Sequence, residues 1–428
     1  MDGKEIAQRI VRVCFILTLL CASYGAGADS SPFHLPKYHF ILQFNSEEAT
    51  LSALDILTAA PYNETTTIDL FSCDLAFIAI TAHTTVPQRV KDPYFVLPGI
   101  QQIVEDEIRW PEAIREEELE EITVNDPLFP QQWGLYMMQV PQTWELIETA
   151  FDSRSPLIVA IIDTGIDFTH PDLLGTYHSA SYDWVRGTPH ITDTNGHGTH
   201  LAGIIAATTD NSMGMSGIAP VRLLSEIVYE EGVGILASRS AMGIYHAAQA
   251  GAKVIVLGYG GKKYSDIEAR AISFAKNQGA LVIASAGNDQ SNDSHYPSDL
   301  SDTISVGAIS ESKSTSIFSN YGIFVDFVGP GQNIYGTAPE GRYSKKAGTS
   351  QAAAAVAGVA ALIWSLDANM TANDVYALLI ESAEDLGKEG RDIYFGWGYP
   401  NSFHAAQLLN LQMLQNSLTN ESSAENAC

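Results

Sequence analysis

Leu157-Ile-Val-Ala-Ile-Ile-Asp-Thr-Gly165 decides how the rest of this chain is read. Six apolar residues run without a polar break, which is short for a helix and leaves no polar side for a strand to turn to water. Such a strand belongs in a sheet covered on both faces, the situation of parallel sheets. Val254-Ile-Val-Leu257 and Ala280-Leu-Val-Ile-Ala284 repeat the pattern, and Ser238 to Ala250 and Ile267 to Asn277 carry helical periodicity between or beside them. Strands alternating with helices predict an α/β fold over residues 125–409, a mainly parallel sheet with helices on both faces.

The polar residues at the ends of these runs carry the chemistry. Asp163 follows its strand directly and so emerges at the carboxyl end of a parallel sheet, where sites form. Asn288 ends Leu281-Val-Ile-Ala-Ser-Ala-Gly-Asn288 in the same way. His197 lies in Asn195-Gly-His-Gly-Thr-His-Leu-Ala-Gly203, whose glycines permit close backbone approach as a helix begins. Ser350 precedes the Ala-rich run 352–364, so its N–H is one of that helix's unpaired N-terminal donors and suits a developing oxyanion. A nucleophilic hydroxyl needs a base for its proton and a carboxylate to fix the base's tautomer. Singly, a Ser before a helix is most often a cap and an Asp after a strand a turn residue. Their combination points to nucleophilic catalysis.

Ile162-Asp-Thr-Gly-Ile-Asp167, His197-Gly-Thr-His-Leu-Ala-Gly203, Ala286-Gly-Asn288 and Gly348-Thr-Ser-Gln-Ala352 resemble, in order, the four signature blocks of subtilisin-like serine proteases. The opening Asn125-Asp-Pro-Leu-Phe-Pro-Gln-Gln-Trp-Gly134 is similar to mature enzymes of that family. The resemblance implies a secreted serine endopeptidase: Asp163 orients the imidazole, His197 acts as general base and then acid, Ser350 is the nucleophile, and Asn288 joins the Ser350 N–H in the oxyanion hole. His200 is implied to be a structural second histidine. Gly258, Tyr259 and Gly260 stand where the substrate-pairing strand commonly reads Ser-Leu-Gly. Glu230 and Glu231 flank the extended substrate by the same resemblance, favouring basic residues there. Likeness to thermitase-like members implies a structural calcium held by Asp126, Asp172 and Asn211 with main-chain oxygens of Thr208, Met213 and Met215, and no catalytic cofactor. Gln351 and Ala354 depart from the family's usual Met and Pro.

The outer regions follow from composition. The chain has 428 residues, enough for two folded units with appendages, and 46% hydrophobic content supports a sizeable core. Asp and Glu number 50 against 23 Lys and Arg, and the net charge of −27 excludes nucleic acid as a partner. Lys4, Arg9 and Arg12 before an apolar run ending at Ala22, with Ala26-Gly27-Ala28 after it, read as a signal peptide over 1–28, with no membrane association after its removal. Tyr38 to Phe44, Leu75 to Ile80 and Pro98 to Arg109 read as strands and Glu47 to Ala60 as a helix, compatible with a small β-α-β-β-α-β unit over 29–110. By resemblance this α+β domain is the inhibitory propeptide, a partner to the enzyme beside its protein or peptide substrates. Residues 111–124 form an acidic linker and 410–428 a polar tail. Cys73 and Cys428 are the cysteines left after the signal, so no disulfide framework serves the catalytic region.

Three rivals remain. An aspartic peptidase needs two Asp-Thr-Gly carboxylates, and this chain has Asp163 alone in that motif. A zinc peptidase wants H-E-x-x-H, which His197-Gly-Thr-His200 does not supply. The third rival, a non-catalytic binding or chaperone protein retaining the fold, is opposed by the complete set of catalytic residue types.

Overall fold

A computed structural model describes residues 37–44, 68–73, 77–83, 100–105, 124–147 and 157–411. The signal peptide, nearly all of the acidic linker and most of the polar tail lie outside the described residues. The chain divides into two compact units, Met1–Glu120 and Glu121–Cys428.

The first unit holds β1 (Lys37–Phe44), β2 (Ile68–Cys73), β3 (Phe77–His83) and β4 (Ile100–Glu105) in the order β2-β3-β1-β4, with every neighbouring pair antiparallel. Crossovers from β1 to β2 and from β3 to β4 produce this order in a β-α-β-β-α-β unit. The helix expected at Glu47–Ala60 lies outside the described residues. The strand expected at Leu75–Ile80 is observed as β3, Phe77–His83, and β2 before it was not read from the sequence.

In the second unit a seven-stranded sheet contains β5 (Ile158–Asp163), β6 (Tyr182–Asp183), β7 (Arg222–Ile227), β10 (Val254–Leu257), β11 (Leu281–Ser285), β12 (Ile304–Ile309) and β13 (Phe327–Pro330). Between β7 and β10 lies a small antiparallel hairpin, β8 (Tyr229–Glu230) with β9 (Gly234–Ile235). The sheet order is β13-β12-β11-β10-β5-β7-β6 and every pair is parallel. Short helices α1 (Trp133–Met137) and α2 (Val140–Ile147) open the unit. The larger ones are α3 (His197–Ala206), α4 (Ala237–Gln249), α5 (Asp266–Asn277), α6 (Thr349–Leu366) and α7 (Ala372–Glu381).

The unbroken apolar strands are explained by what covers them. Along β5, Val159 and Ile161 join a core with Leu201 and Ile205 of α3 and the Ala-rich face of α6. Ala160 and Ile162, pointing the other way, join a second core with Ile244 of α4 and Ile272 of α5. Val254 and Val256 divide from Ile255 and Leu257 in the same manner. Each fully buried aliphatic side chain of this kind contributes roughly 1.5–3 kcal/mol. Helix α6 is long and apolar enough to cross a membrane, yet 89% of it is buried inside the unit, which makes it the central core helix. Its small residues permit tight packing: a Cβ on Gly358 would lie 2.8 Å from Ile218, and one on Gly329 of β13 would lie 2.8 Å from the Ala352 carbonyl.

From β5 the chain first runs out to the edge strand β6, then comes back to fill β7 beside β5, and after that crosses to the other side of β5 with β10 and continues to β13. The order reverses between β5 and β10, so a crevice opens outside their carboxyl ends. Asp163 ends β5 and Gly258 follows β10.

Candidate active site

The Asp163 carboxylate is 2% exposed at the end of β5. His197, the first residue of α3, places Nδ1 at 2.8 and 3.0 Å from its two oxygens. The local sequence holds this pair in place. Gly196 takes the N-cap position at φ 83°, a left-handed conformation suited to glycine. Asp193 supplies the cap: one oxygen accepts from the N–H groups of Asn195 and Gly196, the other from the N–H and hydroxyl of Thr199. A Cβ on Gly198 would fall 2.2 Å from the Gly165 carbonyl, so glycine there lets α3 press onto the turn after Asp163. The Gly198 N–H then donates to the Thr164 hydroxyl at 2.9 Å.

The Asp163 charge raises the pKa of His197 above its ordinary 6.5, against the opposing pull of burial and of Lys346. Lys346 reaches across to donate to the Gly196 carbonyl at 3.0 Å. His200, one turn further on, has a different environment. Burial pushes it down to about 3, and its Nε2 meets the Ser344 carbonyl at 3.1 Å, so it is a neutral packed group.

Ser350 sits in the first turn of α6, after Gly348 at the N-cap. Its hydroxyl donates to the Gly258 carbonyl at 2.7 Å, and among the described hydrogen bonds it has none to His197. Delivering its proton to the imidazole requires a side-chain rotation, a common feature of substrate-free sites. Gly258 touches both halves of the arrangement, because a Cβ there would lie 2.8 Å from Asp163 Oδ2 and 3.1 Å from His197 Cε1. Asn288 accepts through Oδ1 from the Thr349 N–H at 2.8 Å and from its hydroxyl at 3.0 Å. With the amide oxygen fixed, the NH2 end is left to donate. Thr349 Oγ1 also accepts from the Gly287 N–H, and Asn320 accepts from the N–H groups of Asp289 and Ser291. Four residues singled out in the sequence therefore meet at one sheet edge. Their supports, Asp193, Thr349, Asn320 and Lys346, were not read from the sequence.

Tyr259 turns its hydroxyl away from this edge to Ser240 on α4, at 2.5 Å, and Ser240 in turn bonds Glu268 on α5. Gly260 is exposed. Glu230, expected to flank the substrate, is paired with Arg239 at 2.5 Å. Gln351 is buried, and Ala354 lies inside the unbroken helix α6.

The expected calcium ligands also converge, and each of their side-chain carboxyl and amide oxygens meets a donor hydrogen. Asp126 accepts from the N–H groups of Asp210 and Asn211 and from the Ser216 hydroxyl. Asp172 accepts from Asn211 Nδ2, the Met215 N–H and the Tyr343 hydroxyl, while Asn211 Oδ1 accepts from the Met213 N–H. Thr208 donates to the Asp172 carbonyl through its N–H and hydroxyl. The composition suits calcium, which seeks oxygen ligands, and the arrangement is compatible with it, since Asp126 Oδ1, Asp172 Oδ1 and Asn211 Oδ1 each accept a single hydrogen and keep a second lone pair. Were calcium held by these residues, excess chelator would lower the melting temperature in scanning calorimetry. An unchanged value would show that the loop holds itself through these hydrogen bonds alone.

Comparison with known proteins agrees with the geometry. The profile of the subtilase family matches residues 154–398. Thermitase of Thermoactinomyces vulgaris is 37% identical over 287 residues, 67% of this chain and 99% of that protein. Subtilisin DY of Bacillus licheniformis is 38% identical over 255 residues, 58% of this chain and 90% of that one. Among solved structures, a protease from Pseudoalteromonas arctica superposes with a TM-score of 0.59 at 26% identity, over 66% of this chain and 98% of its own. A lanthipeptide protease superposes with a TM-score of 0.57, also at 26% identity, over 67% and 98%.

Proposed function

We propose, on the premise that this chain belongs to the subtilase family and is a serine endopeptidase, that Ser350 is its nucleophile, His197 its base, Asp163 the orienting carboxylate and Asn288 an oxyanion donor. The observation that carries this reading is the Asp163–His197 contact beside a serine at a helix N-terminus, with Gly258 touching both. In the reaction, Nε2 of His197 takes the Ser350 hydroxyl proton as Oγ adds to the scissile carbonyl carbon. The oxygen that gains charge accepts from the Ser350 N–H and the Asn288 amide. The imidazolium then returns its proton to the departing amine, leaving an acyl-enzyme that water hydrolyses by the same steps in reverse roles. Asp163 holds Nδ1–H toward itself and stabilises the imidazolium without becoming protonated. Labelling by a fluorophosphonate probe tests the reading: label is expected on Ser350, and labelling that persists in Ser350→Ala would sink it.

The same proposal covers the outer segments, with 1–28 as an export signal that makes the enzyme secreted and 29–110 as a self-inhibiting folding aid cut away at maturation. The four-stranded sheet of the first unit and its strand order support a separately folding propeptide.

The raised pKa of His197 gives the pH dependence. The base must be neutral to accept a proton, so kcat/KM is expected to rise with pH through an apparent pKa above 6.5, and a pH–rate profile on the free enzyme reads it. A limb centred below 6.5 would contradict the Asp163 contact.

A further inference from the structure

Strands β14 (Ile334–Ala338) and β15 (Arg342–Lys346) form an antiparallel hairpin that lies along α3. The fit is close. A Cβ on Gly336 would lie 2.5 Å from the His200 ring, the Thr337 hydroxyl donates to the Thr199 carbonyl at 2.6 Å, and the Ser344 carbonyl meets His200 Nε2. Lys346 is the last residue of this hairpin and stands four positions before Ser350. Its half-buried side chain turns back toward α3 and donates at 3.0 Å to the carbonyl of Gly196, the residue that caps the helix at His197. The segment carrying the nucleophile is thereby bonded to the backbone beside the base.

On general grounds a cation is out of place here, because the N-terminal end of a helix carries partial positive charge and favours anions. Two buried carboxylates draw it in. Burial lowers the pKa of the Lys346 ammonium, against the pull of Asp193 and then of Asp163. The charges that face His197 can be counted element by element. Asp163 comes from β5, Asp193 from the turn that caps α3, and Lys346 from β15, while His200 on α3 itself is neutral and Gly258 after β10 brings no charge. Two carboxylates less one ammonium leave the imidazole facing a single net negative charge, as much as Asp163 alone would supply. Without Lys346 it would face both carboxylates uncompensated, which favours the protonated ring, and a protonated ring cannot act as a base.

We infer that Lys346 is a positioning residue for the general base: its ammonium, clasped to the helix cap beneath the imidazole, offsets the charge of Asp193 and so keeps His197 free to take the proton of Ser350. The carboxylate that caps α3 and the carboxylate that orients the ring are thus separated in effect. Asp193 can hold the helix by its four hydrogen bonds without also holding a proton on the base. This inference rests on the triad assignment above and deepens it.

The test is kcat/KM against pH for the mature enzyme, its active sites counted with the fluorophosphonate probe, in the native chain and in Lys346→Gln, Lys346→Met and Lys346→Arg. The hairpin keeps its other bonds to α3, so the variants are expected to fold. Lys346→Gln retains an N–H for the Gly196 carbonyl but loses the charge, and Lys346→Met loses both. Each is expected to move the acidic limb to higher pH, lowering kcat/KM on that side by about three- to tenfold, with the gap closing as pH rises. Lys346→Arg restores the charge and is expected to return the limb to its native place. A limb that stays put in Lys346→Gln overturns the inference, as does a shift that Lys346→Arg shares. So does a loss in Lys346→Gln that is equal at every pH, the mark of a merely structural role. Label that persists in Ser350→Ala overturns the triad instead, wherever the limb falls. Should Lys346→Met not fold, Lys346→Gln and Lys346→Arg decide the matter alone.

Discussion

Replacing Ser350 by alanine is expected to lower kcat by about six orders of magnitude while the fold persists. The variant loses the atom that forms the acyl-enzyme but keeps Asn288 and the crevice, which by themselves sustain about 10³–10⁴-fold acceleration over water. The structural cost is small, because Ser350 gives up one hydrogen bond, to the Gly258 carbonyl, worth about 1 kcal/mol. Melting curves should therefore nearly coincide. Adding His197→Ala should cost little more, since the two residues act as one unit. Expressed alone, Ser350→Ala should also keep residues 29–110, read from the mass of the purified chain. Normal removal in that variant would assign the cut to another protease.

Asn288→Ala is expected to reduce kcat by about 10²–10³-fold with KM nearly unchanged, because its donor strengthens only as charge develops on the substrate oxygen. The complication is Thr349, whose N–H and hydroxyl both rest on Asn288 Oδ1 and would be orphaned by alanine. Asn288→Asp separates the two roles. An aspartate retains an acceptor for Thr349 but offers no donor, and at neutral pH it would place a negative charge beside the developing oxyanion. Activity at least as low as in Asn288→Ala is expected. Near-native activity in Asn288→Asp would mean that Asn288 serves the loop and not the reaction.

Parts of this arrangement were legible in the sequence because their signal is local. An apolar run with no polar side can only be a strand covered on both faces, so β5, β10 and β11 were readable, as was the residue at the end of each run. Strands β12 and β13 were not, since Ile304–Ile309 and Phe327–Pro330 are interrupted by Ser and Gly whose burial depends on distant packing. The same divide runs through the site. Asp163, His197, Asn288 and Ser350 stand in ordered motifs, but Asp193 is a cap defined by where Thr199 sits, and Thr349 matters through the direction of its hydroxyl. The burial of His295 is invisible in the sequence because it comes from Gly260 and Gly287 on other loops. The cluster around Asp126 and Asp172 shows the opposite limit. Its composition spells an oxygen-rich site, yet composition does not say whether those oxygens face an ion or the chain's own N–H groups.

The reversal of strand order between β5 and β10 also bears on how activity arises as the chain folds. The contacts that make the site join residues far apart in the chain: Asp163 and His197 are 34 positions apart, Asn288 and Thr349 are 61, and Ser350 and Gly258 are 92. Each contact closes a long loop whose entropy must be lost before the contact forms, and parallel strands joined by crossovers are among the slowest pairings to assemble. Helices can form early while the crevice does not yet exist. Peptide-bond cleavage therefore switches on only with the last long-range pairing, and a half-folded chain, which is the best substrate in the vessel, is not yet a protease.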